Sequence, residues 1–153
     1  MSLFLAGWTT LAGIGIPLIG ILNSGVARAV GNPLSATAIT FAVAFLLAAA
    51  LALPLHGLPS FAELRAAPAR DYAAGLLIGF YALSATVIIP RFGAGNFVAF
   101  ILLAQLATAA AVDQFGWLGM VRRPADATKL AGLALVVAGV VLVQLSGRKH
   151  GNG

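Results

Sequence analysis

The chain has 153 residues, of which 61% are hydrophobic and 8% charged, and its mean hydropathy is +1.02. A soluble domain carries about a quarter charged residues to coat its water-facing shell; nine basic and four acidic side chains cannot supply one, so lipid is the solvent this composition fits. The net charge of +5 does not describe a nucleic-acid binder, because the basic residues stand in short loops between apolar runs. With no Cys and only two distant histidines, His56 and His150, neither thiolate chemistry nor a metal site is expected, and no cofactor is implied.

A hydrocarbon core needs about 20 apolar residues of helix to cross it, and five runs of that kind are present. The expected architecture is an all-α membrane protein with spans over 3–22, 33–55, 72–89, 94–112 or longer, and 128–145, in a single transmembrane domain 1–153. The first run imitates a signal peptide in having Ala27-Arg28-Ala29 after it, but no positive charge precedes it and it is too long, so it reads as a retained helix. Within it, Pro17 removes one N–H and frees the carbonyl of Gly13. Gly13, Gly15 and Pro17 therefore mark either a plain kink or a break of the kind that lines transporter sites.

Asn32 is placed to cap the second helix, with Pro33 in its first turn, where a missing N–H is harmless. In the longest loop, Ser60 and Glu63 have capping-box spacing ahead of a short surface helix. Tyr81 and Ser84 share a face midway along the third span, which Pro90 and Arg91 close. On the fourth, Gln105 and Thr108 share a face, and Asp113 falls within a quarter turn of Gln105, roughly 30 Å from a start near Ala94. Asp113 is then either an interfacial carboxylate that caps the next turn or pairs with a loop Arg, or an embedded acid able to exchange protons. Trp8, Tyr72 and Trp117 sit near span ends, where amphipathic rings favour the headgroup layer. After the fifth span, residues 146–153 read as a frayed tail.

Five spans put the two ends of the chain on opposite sides of the membrane. Arg65, Arg70, Arg122, Arg123 and Lys129 then face Arg28, Arg91, Arg148 and Lys149, a bias of five against four. So small a bias orients weakly. It permits insertion in both directions and pairing with an inverted copy; the plainer alternative is a slight preference for the N-terminus inside. An inverted pair would reproduce the inverted-repeat plan from which many transporters build a midplane site. Gly75 with Gly79, Gly13 with Gly20, and Gly132 with Gly139 share helix faces, either for packing within the chain or as a dimer seam on the last helix.

Seven strings in order resemble the small YdcZ-like inner-membrane proteins of the drug/metabolite transporter superfamily, over nearly the whole chain. They are Ile16-Pro17-Leu18 with Asn23-Ser24, Asn32-Pro33-Leu34-Ser35-Ala36, Ile39-Thr40-Phe41, Pro90-Arg91-Phe92-Gly93-Ala94, Gln105-Leu106, Asp113-Gln114-Phe115-Gly116 and Pro124. Ile19, Ala44, Ala104 and Gln114 depart from residues frequent in that family. The resemblance implies a multi-pass protein of the bacterial inner membrane, half of a ten-helix unit, assembling as an antiparallel homodimer or with an oppositely oriented paralogue. Asn23, Tyr81, Gln105 and Asp113 are the candidate substrate or coupling residues.

The expected function is secondary transport of a small organic solute, ion-coupled, by alternating access. With no mid-span base, a cationic or neutral amphipathic solute fits better than an anion. The alternatives are a passive small-ion channel, for which few polar groups could line a pore, and a non-transporting membrane interaction subunit. No enzyme is expected, since no nucleophile, base or metal ligands converge.

Overall fold

The structure, a computed structural model, describes residues 3–150, with side chains described to Leu145. It is helical: α1 (Leu3–Val30), α2 (Pro33–His56), α3 (Phe61–Ala66), a 3-10 turn (Ala69–Ala73), α4 (Ala74–Phe92), α5 (Ala94–Phe115), a second 3-10 turn (Trp117–Gly119) and α6 (Ala127–His150). Among the described residues, five segments are long and apolar enough to cross a membrane: Leu3–Val30, Pro33–His56, Ala69–Phe92, Ala94–Phe115 and Ala127–Leu145. Their large apolar side chains point mostly outward, among them Leu3, Phe45, Leu76, Phe80 and Leu135. In water such a coat would be untenable; against acyl chains it is the outer surface of the protein. The chain gathers into two compact units, Met1–Ala94 and Gly95–Gly153.

In the first unit α1, α2 and α4 pack pairwise. The first span runs eight residues past its expected end at residue 22, because nothing breaks the helix before Gly31, whose φ of +72° turns the chain. Asn32 caps α2 as expected: its Oδ1 accepts from the N–H of Leu34 at 2.8 Å and of Ser35 at 3.4 Å, with Pro33 in the first turn. So tight a connection makes α1 and α2 an antiparallel hairpin. α1 passes through Pro17 as one helix, without an unwound segment at Gly13–Pro17. α2 ends at Gly57, whose N–H bonds the Leu53 carbonyl at 3.0 Å.

The expected surface helix is α3, and its capping box is complete. Ser60 Oγ accepts from the Glu63 N–H, while Glu63 Oε2 accepts from both the N–H and the hydroxyl of Ser60, each at 2.7 Å. The Arg65 guanidinium lies over the Phe61 ring, 4.3 Å from its centroid. Tyr72 Oη donates to the Leu64 carbonyl, fastening α3 to the 3-10 turn that leads into α4. The third span ends at Phe92 rather than at residue 89, so Pro90 lies in the last helical turn.

Helix approach depends on small side chains. Ala36 and Ala85 are fully buried, and Ala27 and Ala82 nearly so. A Cβ on Gly20 would collide with Ile89 Cδ1 and lie 3.1 Å from Ala85 Cβ, so α1 and α4 touch there through bare backbone. Of the six glycines with shared-face spacing, only Gly20 makes such an approach: Gly13, Gly75, Gly132 and Gly139 have nothing within 4 Å, and Gly79 has only Phe41 Cε2 at 4.0 Å.

The second unit is α5 and α6 with their connection. α5 runs to Phe115, the longer of the two expected extents, and Gly116 ends it with φ +66°. α6 starts one residue before the expected 128, with the Lys129 N–H bonded to Asp126 Oδ1 at 2.7 Å. It continues to His150, beyond the expected end at residue 145; of the expected frayed tail, residues 151–153 lie outside the described residues.

Gly20→Leu should lower stability by about 1–3 kcal/mol, the usual cost of overfilling a tight contact. Gly13→Leu, on the same helix in open space, should stay near wild type; helicity during SDS titration of the purified protein compares the two. The Ser60 hydroxyl and N–H lower the Glu63 pKa from its ordinary value. The stabilisation of α3 by this carboxylate is therefore present above the ordinary glutamate pKa and is lost as pH falls through the lowered native value. Ser60→Ala, which removes the hydroxyl but keeps the backbone N–H, should raise the Glu63 pKa part of the way towards its ordinary value in a carboxyl carbon-13 NMR titration.

Candidate functional site

The polar centre of the first unit is Asn23, 2% exposed on α1. Its Nδ2 donates to Thr86 Oγ1 of α4 at 2.6 Å and to Thr37 Oγ1 of α2 at 3.3 Å, and its Oδ1 accepts from Thr40 Oγ1 of α2 at 2.7 Å. One amide thus links all three helices. Thr37 and Thr86 pass their own protons to the carbonyls of Pro33 and Ala82, so each hydroxyl is free to accept from Asn23. Both amide protons are spent, whereas Oδ1 retains one lone pair.

Ser24, the next residue, completes the cluster in a different way. Its Oγ is 2.7 Å from the Gly20 carbonyl and 3.2 Å from the Thr86 carbonyl. The Thr86 carbonyl is four residues before Pro90, which has no N–H to give it. The single proton of the α1 hydroxyl is thus shared between its own helix and the carbonyl that the α4 proline leaves without an intrahelical donor, and α4 continues helically through Pro90.

Two open cavities flank the cluster. One, of about 280 Å³, lies between Ile19, Leu22 and Val26 of α1 and Ile39 and Val43 of α2, with Asn23 and Thr40 at its floor. The other, of about 360 Å³, reaches from Ser24 and Thr86 to Arg28 and Arg91. Asn23 precedes Arg28 by five residues, about 7.5 Å along the helix. The cluster thus lies nearer to the arginine end of α1 than to its start.

The candidates from sequence divide between the units. Asn23 and Tyr81 belong to the first. Tyr81 is half-buried on α4, more than a turn before Thr86. Gln105 and Asp113 belong to the second: Gln105 is exposed on α5, and Asp113 sits in its last turn. Asp113 Oδ2 is 2.6 Å from Lys129 Nζ, with both side chains about one-third exposed.

The rest of that segment closes the end of α5. The Arg123 N–H bonds the Asp113 carbonyl at 2.7 Å, Arg122 Nε bonds the Gln114 carbonyl at 2.9 Å, and Gln114 Oε1 accepts from the Ala125 N–H at 2.9 Å. The final carbonyls of a helix, left without intrahelical donors, are here supplied by the loop, and the Phe115 and Trp117 rings stack at 5.2 Å beside it.

Sequence reasoning passed over Thr37, Thr40 and Thr86 as partners of Asn23, and Ser24 as a partner of the Thr86 carbonyl. A signal was available: Asn23 and Thr40 each stand eight residues from the Gly31–Asn32 turn, so an antiparallel hairpin places them level. It also passed over Gln144 of α6, whose Nε2 is buried without a hydrogen-bond partner beside a cavity of about 250 Å³ that Phe100 and Leu103 of α5 also line. Among the described residues no group of acidic, His or Cys side chains could hold a metal ion.

The Ser24–Pro90 relation has a measurable signature. Ser24→Ala should cost about 1 kcal/mol in the wild-type background, the scale of a lost hydrogen bond. It should cost close to nothing beside Pro90→Ala, where a new N–H serves the Thr86 carbonyl, and a double-mutant cycle by SDS denaturation reads the difference.

A family model described as "Putative inner membrane exporter, YdcZ" matches residues 4–142. No curated protein and no solved structure matches the chain.

Proposed function

Because this chain belongs to the YdcZ family of inner-membrane exporters, within the drug/metabolite transporters, we propose that it exports a small cationic or neutral amphipathic solute as an ion-coupled secondary carrier. The protein is a multi-pass protein of the inner membrane, and its family points to transport rather than catalysis. The observation that carries the finer reading is the groove between α1 and α2, apolar on its sides and floored by Asn23 and Thr40. An apolar cleft with a few fixed polar groups suits a small amphipathic ligand. The free lone pair on Asn23 Oδ1 would take a hydrogen bond from an N–H or O–H of the solute.

The working unit in this reading is two inverted copies, or this chain with an oppositely oriented paralogue, rocking to open the grooves alternately to each side. The near balance of loop charges supports it. Inversion would carry a second Asn23 cluster to the opposite side of the midplane. Asp113 is the coupling acid: protonation of its carboxylate would release Lys129, and reionisation would restore the pair.

The test is flux into liposomes holding the purified full chain, using a panel of amphipathic amines and quaternary ammonium ions under an imposed pH gradient. Wild type should accumulate at least one of them saturably. Asn23→Ala should lower kcat/KM by about tenfold or more, and Asp113→Asn should keep downhill exchange while losing the response to the gradient. Non-saturating ion current would indicate a channel instead, and absence of flux for every solute and gradient would reject the carrier. Comparable accessibility of a C-terminal tag from both membrane faces is the result expected of inverted pairing; a single orientation would leave the paralogue.

A further inference from the structure

We propose that the cavity between Arg28 and Arg91 is a binding site for a phosphate oxyanion, carried either by an anionic lipid headgroup or by a free anion. Its wall is made by the last turns of α1 and α4 and the start of α2, and its volume of about 360 Å³ falls in the small-ligand range of about 300–1,000 Å³. Arg28 and Arg91 are among the residues that line it, and none of its lining residues is acidic. Among the described residues neither Arg28 nor Arg91 has an ion-paired or hydrogen-bonded partner. The Arg28 side chain passes alongside Gly25, where an added Cβ would be 3.7 Å from its Nη2.

The acidic residues of the chain are all committed elsewhere. Glu63 is held by Ser60, and Asp71 lies 3.5 Å from Arg70, both in the connection at the far ends of α2 and α4. Asp113 holds Lys129, and Asp126 caps α6. The hydroxyls of the cavity are spent too, since Ser24 and Thr86 donate to backbone carbonyls. What remains for a ligand is ten N–H donors on two planar forks beside low-dielectric walls, a chemistry suited to bidentate capture of phosphate oxygens. A cationic solute would be repelled there, so this site is distinct from the groove floored by Asn23. A phosphodiester at the membrane surface would meet it directly, because the arginines flank the ends of two spans.

The site is read by binding, without transport, so its failure leaves the exporter reading untouched. The full-length protein in a neutral detergent would be titrated with dihexanoyl-phosphatidylglycerol, with dihexanoyl-phosphatidylcholine and with inorganic phosphate at constant ionic strength, following the thermal unfolding midpoint. A saturable rise with phosphatidylglycerol alone assigns the site to an anionic headgroup; a rise with inorganic phosphate as well assigns it to free oxyanions. In either case Arg28→Gln and Arg91→Gln should each raise the apparent Kd about tenfold or more, with Arg28→Lys intermediate, while Arg123→Gln, which removes the same charge outside the cavity, should bind as wild type. The proposal is overturned if neither anionic probe saturates, if phosphatidylcholine acts as well as phosphatidylglycerol, or if Arg123→Gln weakens binding as much as the cavity variants.

Discussion

In hydrocarbon a hydrogen-bonding group has no water to fall back on, and the first three spans are arranged around the one amide that meets this constraint by joining them. Asn23 donates to one hydroxyl on α4, donates to one on α2 and accepts from another on α2. Each bond is modest, about 0.6 kcal/mol on average between membrane helices. Their importance lies in direction. Apolar contact between helices in lipid is nearly indifferent to rotation, because acyl chains are as apolar as leucine, whereas a three-way amide network is satisfied in only one register of the helices. The same network gives the α1–α2 groove its polar side chains, so helix packing and the proposed ligand chemistry draw on the same residues.

Close approach makes that network reachable. Gly20, Ala27, Ala36, Ala82 and Ala85 remove the bulk that would hold the helices apart, and the contact of Gly20 with Ala85 and Ile89 sets how near α4 comes to α1. Only at that distance can Ser24 reach across to the carbonyl that Pro90 leaves without a donor. A proline in one helix and a serine in another thus form one structural unit. Removing the N–H from α4 creates an acceptor inside the membrane, and the hydroxyl of α1 answers it. Just beyond, the helix ends present Arg28 and Arg91 to a common cavity.

In the second unit the same accounting operates at a helix end. The last carbonyls of α5 are bonded by Arg122 and Arg123, Gln114 receives the Ala125 N–H, and Asp113 holds Lys129 in the first turn of α6. The Asp113-Gln114-Phe115-Gly116 string therefore builds the turn between two spans. A coupling role for Asp113 would be superimposed on that duty and would require its ion pair to open during the cycle.

The five spans, the caps at Asn32 and Ser60 and the outward apolar coat follow from the sequence by itself, because in lipid a backbone satisfies its own hydrogen bonds locally and length, hydropathy and cap chemistry suffice to mark a helix. Span ends were less legible. Residues 23–30 of α1 are polar enough to suggest a loop, yet they continue the helix because Asn23 and Ser24 find partners on other helices. Which faces meet was not legible either: the outside is as apolar as the inside, so hydrophobic periodicity does not separate core from surface as it does in water. The Asn23–Thr40 level could be read from the hairpin turn, but Thr86 lies 63 residues from Asn23, and only tertiary packing brings it within 2.6 Å. The same holds for Gly20 against Ala85, for Ser24 against the carbonyl before Pro90, and for the two arginines on one cavity. Sequence determined what each helix is; packing decided which polar groups would complete one another, because in a solvent without hydrogen bonds those partners must come from the protein itself.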